Sequence, residues 1–185
     1  MNASVYIAAS LDGFIARKDG SLDWLNKANA NVPDGEDFGF RAFMDSVDAL
    51  IVGRKTFEQV LSFGQWAYGE TPVIVLSGNP RCIPPDAPDT VTRSSEQPRT
   101  LLERLSREGI EHVYVDGGAT IRSFLADDLV DEITVTVIPV LLGEGISPFG
   151  PHEQYIGLTH QRTQVFEFGF VQTTYFVRKG SSVRD

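Results

Sequence analysis

The chain holds a single cysteine, Cys82, among 185 residues. One cysteine forms no internal disulfide and excludes a zinc site built on cysteine pairs, and it fits a cytoplasmic location. Histidine is scarce as well. His112, His152 and His160 are scattered, with no H-E-x-x-H run, so they read as surface or structural residues and no metal is expected. No apolar run approaches the ~18 residues of a membrane-spanning helix, and none is expected. The start, MNASVYIAASLDG, lacks the basic region and the longer apolar run of a signal peptide. Base is also in short supply. Against 25 Asp and Glu stand 16 Lys and Arg, a formal charge of −9, with acid in excess in both halves. This argues against nucleic acid or an anionic membrane as the main partner, while leaving room for a local basic pocket. Three signatures are missing too. No G-x-G-x-x-G follows the first strand candidate, and the chain contains neither G-x-x-x-x-G-K-[ST] nor G-x-S-x-G.

What remains is an ordinary globular composition, 42% hydrophobic and 22% charged, read as one domain over residues 1–180 with a frayed tail at 181–185. Apolar strand candidates alternate with helical spacing. SVYIAA, DALIVG, TPVIVLSG and EHVYVDGG read as buried strands. FGFRAFMDSV carries Phe40, Phe43, Met44 and Val47 on one helical face. TFEQVLSF reads as a helix with Thr56 and Gln59 as a capping box. PRTLLERLSREG starts at Pro98 and stops at Gly109, and ATIRSFLADD forms the next helix. PRCIPPDAPDT, with four prolines, reads as a rigid surface connection. EITVTVI alternates, and QVFEFGFVQTTYFVRK reads as two strands hinged near Gly169. The pattern predicts a three-layer α/β fold with a mixed, mostly parallel central sheet and an antiparallel C-terminal edge.

Ligands of open α/β sheets bind beyond the carboxyl ends of the strands. Four such ends share a signature: Ser10-Leu11-Asp12-Gly13, Gly53-Arg54-Lys55-Thr56, Leu76-Ser77-Gly78 and Asp116-Gly117-Gly118-Ala119-Thr120. Each has glycine, with a hydroxyl or a positive charge close by. Two run into helices, whose N-termini offer unpaired N–H groups to a phosphate. Gly117-Gly118 reads either as a tight connection or as a place where an anion approaches the backbone. Arg54 and Lys55 read either as a solvated loop or as the grip on an extra phosphate, such as the 2′-phosphate of NADP.

The order of these motifs carries a resemblance. AASLDGFIA, GRKTFE, VLSG, VDGGATIRSFL and DLVDEITVTVIPVLLGEG, over roughly residues 3–179, resemble the dihydrofolate-reductase-like superfamily. SLDG and LVDE…PVLLGEG are similar to the branch holding the C-terminal reductase domain of bacterial riboflavin-biosynthesis deaminase/reductase. The resemblance implies an NADPH-dependent, homodimeric reductase that passes hydride to a pyrimidine or pterin-like heterocycle, such as 5-amino-6-(5-phosphoribosylamino)uracil. It places the backbone of Ala8 and Ala9, with Ile15 nearby, along the nicotinamide. It gives the pyrophosphate and 2′-phosphate to Gly53, Arg54, Lys55 and Thr56, and the adenosine half to Leu76 and Ser77. Gly117 and Gly118, ahead of Ala119 and Thr120, match a glycine pair often joined by a cis peptide. The single cysteine cannot supply the H-x-E and P-C-x-x-C of the deaminase, so only the reductase half is expected.

Two carboxylates are candidates for proton transfer. Asp37, beside Glu36, precedes Gly53 by 16 residues, a spacing like that of the folate-binding acid; it reads equally as a helix-start carboxylate. Asp12 belongs to the SLDG motif and reads equally as an Asp-Gly turn. Burial beside the nicotinamide is expected to raise the pKa of whichever serves. A true dihydrofolate reductase and a non-catalytic NADP-binding module are the alternatives.

Overall fold

The computed structural model describes residues 1–151 and 155–179; the expected tail at 181–185 and His152 lie outside them. The strands are β1 (Asn2–Ser10), β2 (Ala49–Gly53), β3 (Val73–Leu76), β4 (Val91–Ser94), β5 (His112–Asp116), β6 (Glu132–Ile138), β7 (Leu158–Val165) and β8 (Val171–Val177). The helices are α1 (Asp23–Asn29), α2 (Phe40–Met44), α3 (Arg54–Ser62), α4 (Pro98–Arg107) and α5 (Gly118–Ala126). One sheet runs in the order β4-β3-β2-β5-β1-β6-β8-β7. Its first six strands are parallel, and β8 and β7 add antiparallel pairs at the far edge.

The continuous apolar strands are explained by helices on both faces. In β2, Ala49 and Ile51 join the core under α4 and α5, with Leu101, Leu105, Ile121 and Phe124. Leu50 and Val52 join the opposite core, with Phe57 and Val60 of α3 and the α2 residues Phe40 and Phe43. A third cluster, around Trp24, Ile138, Phe166 and Phe170, seats α1 against the antiparallel side.

Local signals explain the element ends. In α4, Pro98 sits in the first turn. At its C-terminus Gly109 N–H bonds to Ser106 O and Ile110 N–H to Leu105 O, with Gly109 at φ +91°, a left-handed cap that glycine adopts at least cost. The hinge at Gly169 is a tight hairpin closed by Phe166 N–H to Phe170 O.

Three expectations are corrected. The segment FGFRAFMDSV is helical only over Phe40–Met44; Val47 keeps its buried place through a turn rather than a further helical turn. Thr56 is no cap, because α3 begins at Arg54 straight after Gly53, and Gln59 instead donates its Nε2 to Gly20 O at 2.7 Å. No peptide among the described residues is cis; Gly117 makes the turn with φ +91° and ψ 133°. Three elements escaped the sequence reading: α1, β4 and the first part of β7.

Candidate functional site

β1 and β5 pair only through Asn2–Ser4 and His112–Tyr114, whereas β1 stays paired with β6 as far as Ser10. The sheet therefore opens between β1 and β5 at its carboxyl edge. The connections from β5 to β6 cross over β1 here, which makes this the switch point where open sheets bind ligands.

One wall of the crevice is an interlock of two helix starts. β2 and β5 are paired neighbours, so α3 and α5 begin side by side. A Cβ on Gly53 would come within 2.9 Å of Thr120 Oγ1, and one on Gly117 within 2.3 Å of Thr56 Oγ1. Each glycine thus admits the threonine of the other helix. Gly118 is confined as well, with Ser147 O and Ile146 Cγ2 both 3.2 Å from its would-be Cβ. Neither helix start has a side-chain cap, so backbone donors of both face the same edge. Ala119 is exposed and Thr120 buried beside them. Arg54 lies on the first turn of α3, its guanidinium bonded to Glu58 at 2.7 Å, and Lys55 next to it is exposed. β3 brings Leu76 opposite Gly53, and Ser77 follows, its carbonyl accepting from Arg93 at 2.9 Å. The fold thus gathers Gly53–Thr56, Leu76–Ser77 and Gly117–Thr120 on one edge and adds Arg93, which the sequence reading did not single out.

The other wall is a cleft of about 200 Å³ over β1 and β6. Ala8, Ile138, Leu25, Phe38, Phe40 and Phe170 give it an apolar and aromatic surface, with Asn29, Thr136 and Asp37 as polar points. Ala8 and Ala9 part company: Ala8 faces this cleft, while Ala9 is buried on the opposite face of β1. Ile15 packs against the core under α4 and α5, its N–H on Ile146 O.

A buried network closes the cleft's floor. The two N–H groups of Gln172 Nε2 are shared among Tyr6 Oη at 2.9 Å, Phe38 O at 3.1 Å and Thr136 Oγ1 at 3.0 Å. Tyr6 also donates its hydroxyl to Phe38 O. Phe38, held at φ +58°, stacks on Phe170 and meets Phe166 edge-on. The chain between α1 and α2 is therefore fastened to the sheet at Phe38.

The three carboxylates differ sharply. Asp37 accepts Gly39 N–H at 2.9 Å and Arg41 N–H at 3.2 Å, bonds that hold its carboxyl below the usual range. Asp12 accepts the Ser10 hydroxyl at 2.6 Å, Gly143 N–H at 2.7 Å and Leu142 N–H at 3.0 Å, and is lowered for the same reason. Hydrogen bonds to the charged form outweigh burial in both, so the expected raised pKa is corrected for each. Asp12 fastens the loop after β1 to the loop after β6. The raised carboxylate is Asp116, at the end of β5. Burial pushes it from 3.8 to about 6, against the opposing bond from Gly117 N–H at 2.7 Å, while the Tyr114 hydroxyl donates to Tyr6 O. Asp116 is paired with Val52 of β2, and Tyr114 and Tyr68 lie near it. The sequence signal was present, an acid directly before Gly117-Gly118, but only the glycines were weighed.

Residues 4–171 match the model of the RibD C-terminal domain. The uncharacterized protein YwjB of Bacillus subtilis (strain 168) is 35% identical over 177 residues, spanning 94% of this chain and 96% of that protein. YyaP of the same strain is 30% identical over 181 residues, 91% of each. A crystal structure of a Shewanella sp. PV-4 protein, provisionally named for riboflavin biosynthesis, superposes with a TM-score of 0.90 at 39% identity, covering 97% of this chain and 100% of that one. A Thermotoga maritima diaminohydroxyphosphoribosylaminopyrimidine deaminase/5-amino-6-(5-phosphoribosylamino)uracil reductase shares the fold, with a TM-score of 0.68 at 16% identity over 95% of this chain and 56% of that one. The fold is dihydrofolate-reductase-like, and the chain belongs to the family of RibD C-terminal domains.

Proposed function

We propose that the protein is an NADPH-dependent reductase of a small pyrimidine or pterin-like heterocycle. The observation that carries this reading is the opening between β1 and β5, with two uncapped helix starts on one side and a ring-sized apolar cleft on the other. The donor set of the first side suits a dinucleotide: backbone N–H groups and the Thr56 and Thr120 hydroxyls for pyrophosphate, Arg54 and Lys55 for a 2′-phosphate, and Leu76 and Ser77 for the adenosine.

When bound, the cofactor supplies a hydride from its nicotinamide ring. The chain's residues do the rest. The small Ala8 and the backbone of β1 leave space for two stacked rings. Phe38, Phe40 and Phe170 orient the substrate ring and exclude water. Asp37 accepts hydrogen bonds from ring N–H groups at the cleft wall. Asp116, with a pKa of about 6, retains enough protonated form near neutrality to donate a proton from its carboxyl and balance the hydride. Asp12 keeps the two flanking loops together.

Calorimetric titration with NADPH and with NADH tests the reading. Micromolar NADPH binding, much tighter than NADH, is expected, followed by heterocycle-dependent loss of absorbance at the reduced nicotinamide band. No binding of either cofactor would overturn it.

A further inference from the structure

We infer that the protein docks a second copy of itself through the face of β6, β8 and β7 that points away from the cleft. The contact does not depend on what the cleft binds.

The usual pattern of a half-covered sheet is reversed here. Such a sheet turns polar residues to water and apolar ones inward. On the cleft side of β6 and β8 the buried side chains are instead polar: Thr134, Thr136, Gln172 and Thr174. On the other side Val135, Val137 and Val171 stay half-exposed. The register runs these valines into an open row. Val137 pairs with Val171, and Val171 with Val165 of β7, which is 71% exposed. Among the described residues, Val137, Val171 and Val165 join none of the three cores. The core under α4 and α5 reaches only as far as Ile133, Val135 and Val177.

β7 continues this face to the edge of the sheet. All eight of its residues are exposed, and they include no proline, lysine or carboxylate. Those are the residues that keep an edge strand away from other chains. Its one arginine, Arg162, turns to the cleft side and bonds Thr174 Oγ1 at 3.2 Å. A bulge between His160 and Arg162 is the only such device left.

Charge selects the occupant. The chain carries −9, with 25 Asp and Glu, so two copies repel over most of their surfaces. Across the three strands, the face beside the valine row is Val135-Thr173-Thr163 and then Ile133-Tyr175-His160. No carboxylate, lysine or arginine stands in these rows, so a strongly charged partner finds nothing to pair with. A second copy finds a match. The threonine and tyrosine hydroxyls and the His160 ring each donate and accept hydrogen bonds, so such groups can pair with their own kind. A two-fold axis through the face brings the same rows of both copies together and covers the valines.

Analytical ultracentrifugation of the full chain from about 1 to about 100 µM tests this. At the upper end a mass twice the 20.4 kDa of one chain is expected. Val165→Glu puts two carboxylates into the contact and should weaken self-association by about a hundredfold or more. Val165 is exposed in the single chain, so the variant should still fold. Leu141→Glu, at a residue 72% exposed elsewhere on the surface, should leave association unchanged. Amide exchange over residues 158–165 of the parent should quicken on dilution, a readout that needs no variant. A single-chain mass at every concentration overturns the inference. So does a dimer that Val165→Glu leaves intact or that Leu141→Glu splits, and so does exchange at β7 that dilution leaves unchanged.

Discussion

The two walls of the crevice are built from sequence in different ways. On the side proposed for a dinucleotide each half is a local unit: a strand, a glycine and a helix start, repeated at Gly53-Arg54 and at Gly117-Gly118. The fold lays the units side by side, and the glycine of one admits the threonine of the other. On the ring side almost nothing is local. Tyr6 meets Gln172 across 166 residues, and Phe38 meets it across 134. A wall of repeated local units leaves a readable signature, whereas a wall of single long-range contacts leaves none. It also follows that the first wall should fail by steric conflict and the second by loss of buried hydrogen bonds.

The sharpest way to break the comparison is Gly117→Ala. The new methyl meets Thr56 Oγ1, and the residue sits at φ +91°, where only glycine is unstrained. A loss of about 3 kcal/mol in denaturant stability is expected, together with loss of NADPH binding. Thr56→Ala in the same chain should restore part of the stability, since it removes the clash and leaves the backbone strain. If Gly117→Ala is as stable as the parent, the interlock is not what selects the glycine.

On the opposite wall, Gln172→Leu removes the amide that serves Tyr6, Phe38 and Thr136. Phe38 O keeps the Tyr6 hydroxyl, but taking the amide from the buried Tyr6 and Thr136 oxygens should lower stability by about 2 kcal/mol. The effect on function should be the reverse of that at Gly117. NADPH affinity should hold, while affinity for the ring substrate falls as the Phe38 segment loosens. Amide hydrogen exchange at residues 36–40 would register that loosening, and unchanged protection there would remove Gln172 from the positioning of the cleft.

These two walls also explain what the sequence made legible. The mixed sheet, its antiparallel edge and the gathering of four strand ends follow from apolar runs ending in glycine. α1 did not, because Asp23–Asn29 is seven residues with two asparagines and a single buried side chain, Trp24. β4 did not, because VTRS is short and follows a proline-rich connection. The first part of β7 did not, because all eight of its residues are exposed and give no alternation. Asp37 could be placed by its distance from Gly53 but not its ionisation. That depends on which backbone N–H groups turn toward it, a fact of the local chain path. Asp116 was not singled out, because its burial with Tyr114 and Tyr68 beside it comes from the packed sheet.

Asp116, at the end of β5, gives a pH-dependent version of the comparison. Its folded pKa of about 6 is raised above the ordinary 3.8, so the folded state holds its proton more tightly than the unfolded chain. Unfolding free energy should therefore fall as pH climbs from about 4 to about 6 and then level off, by about 3 kcal/mol. Asp116→Asn should remove that fall and gain stability at pH 8, while lowering turnover and flattening the alkaline limb of the rate profile. An unaltered profile would return proton delivery to Asp37 or to solvent.

The smallest effect on stability should come from Arg54→Ala combined with Lys55→Ala. The Arg54–Glu58 bridge is exposed, and losing it should change stability by about 0.5 kcal/mol or less. Yet the pair separates the two functions of the dinucleotide wall. Under the proposed function the interlocked glycines and helix starts serve any pyrophosphate, whereas the two cations serve only an added 2′-phosphate. NADPH affinity should drop by about tenfold or more while NADH affinity stays where it was. Parallel losses for both cofactors would mean that Arg54 and Lys55 act on the pyrophosphate and that the 2′-phosphate is read by another residue of this edge, with Arg93 beside Ser77 the first to replace.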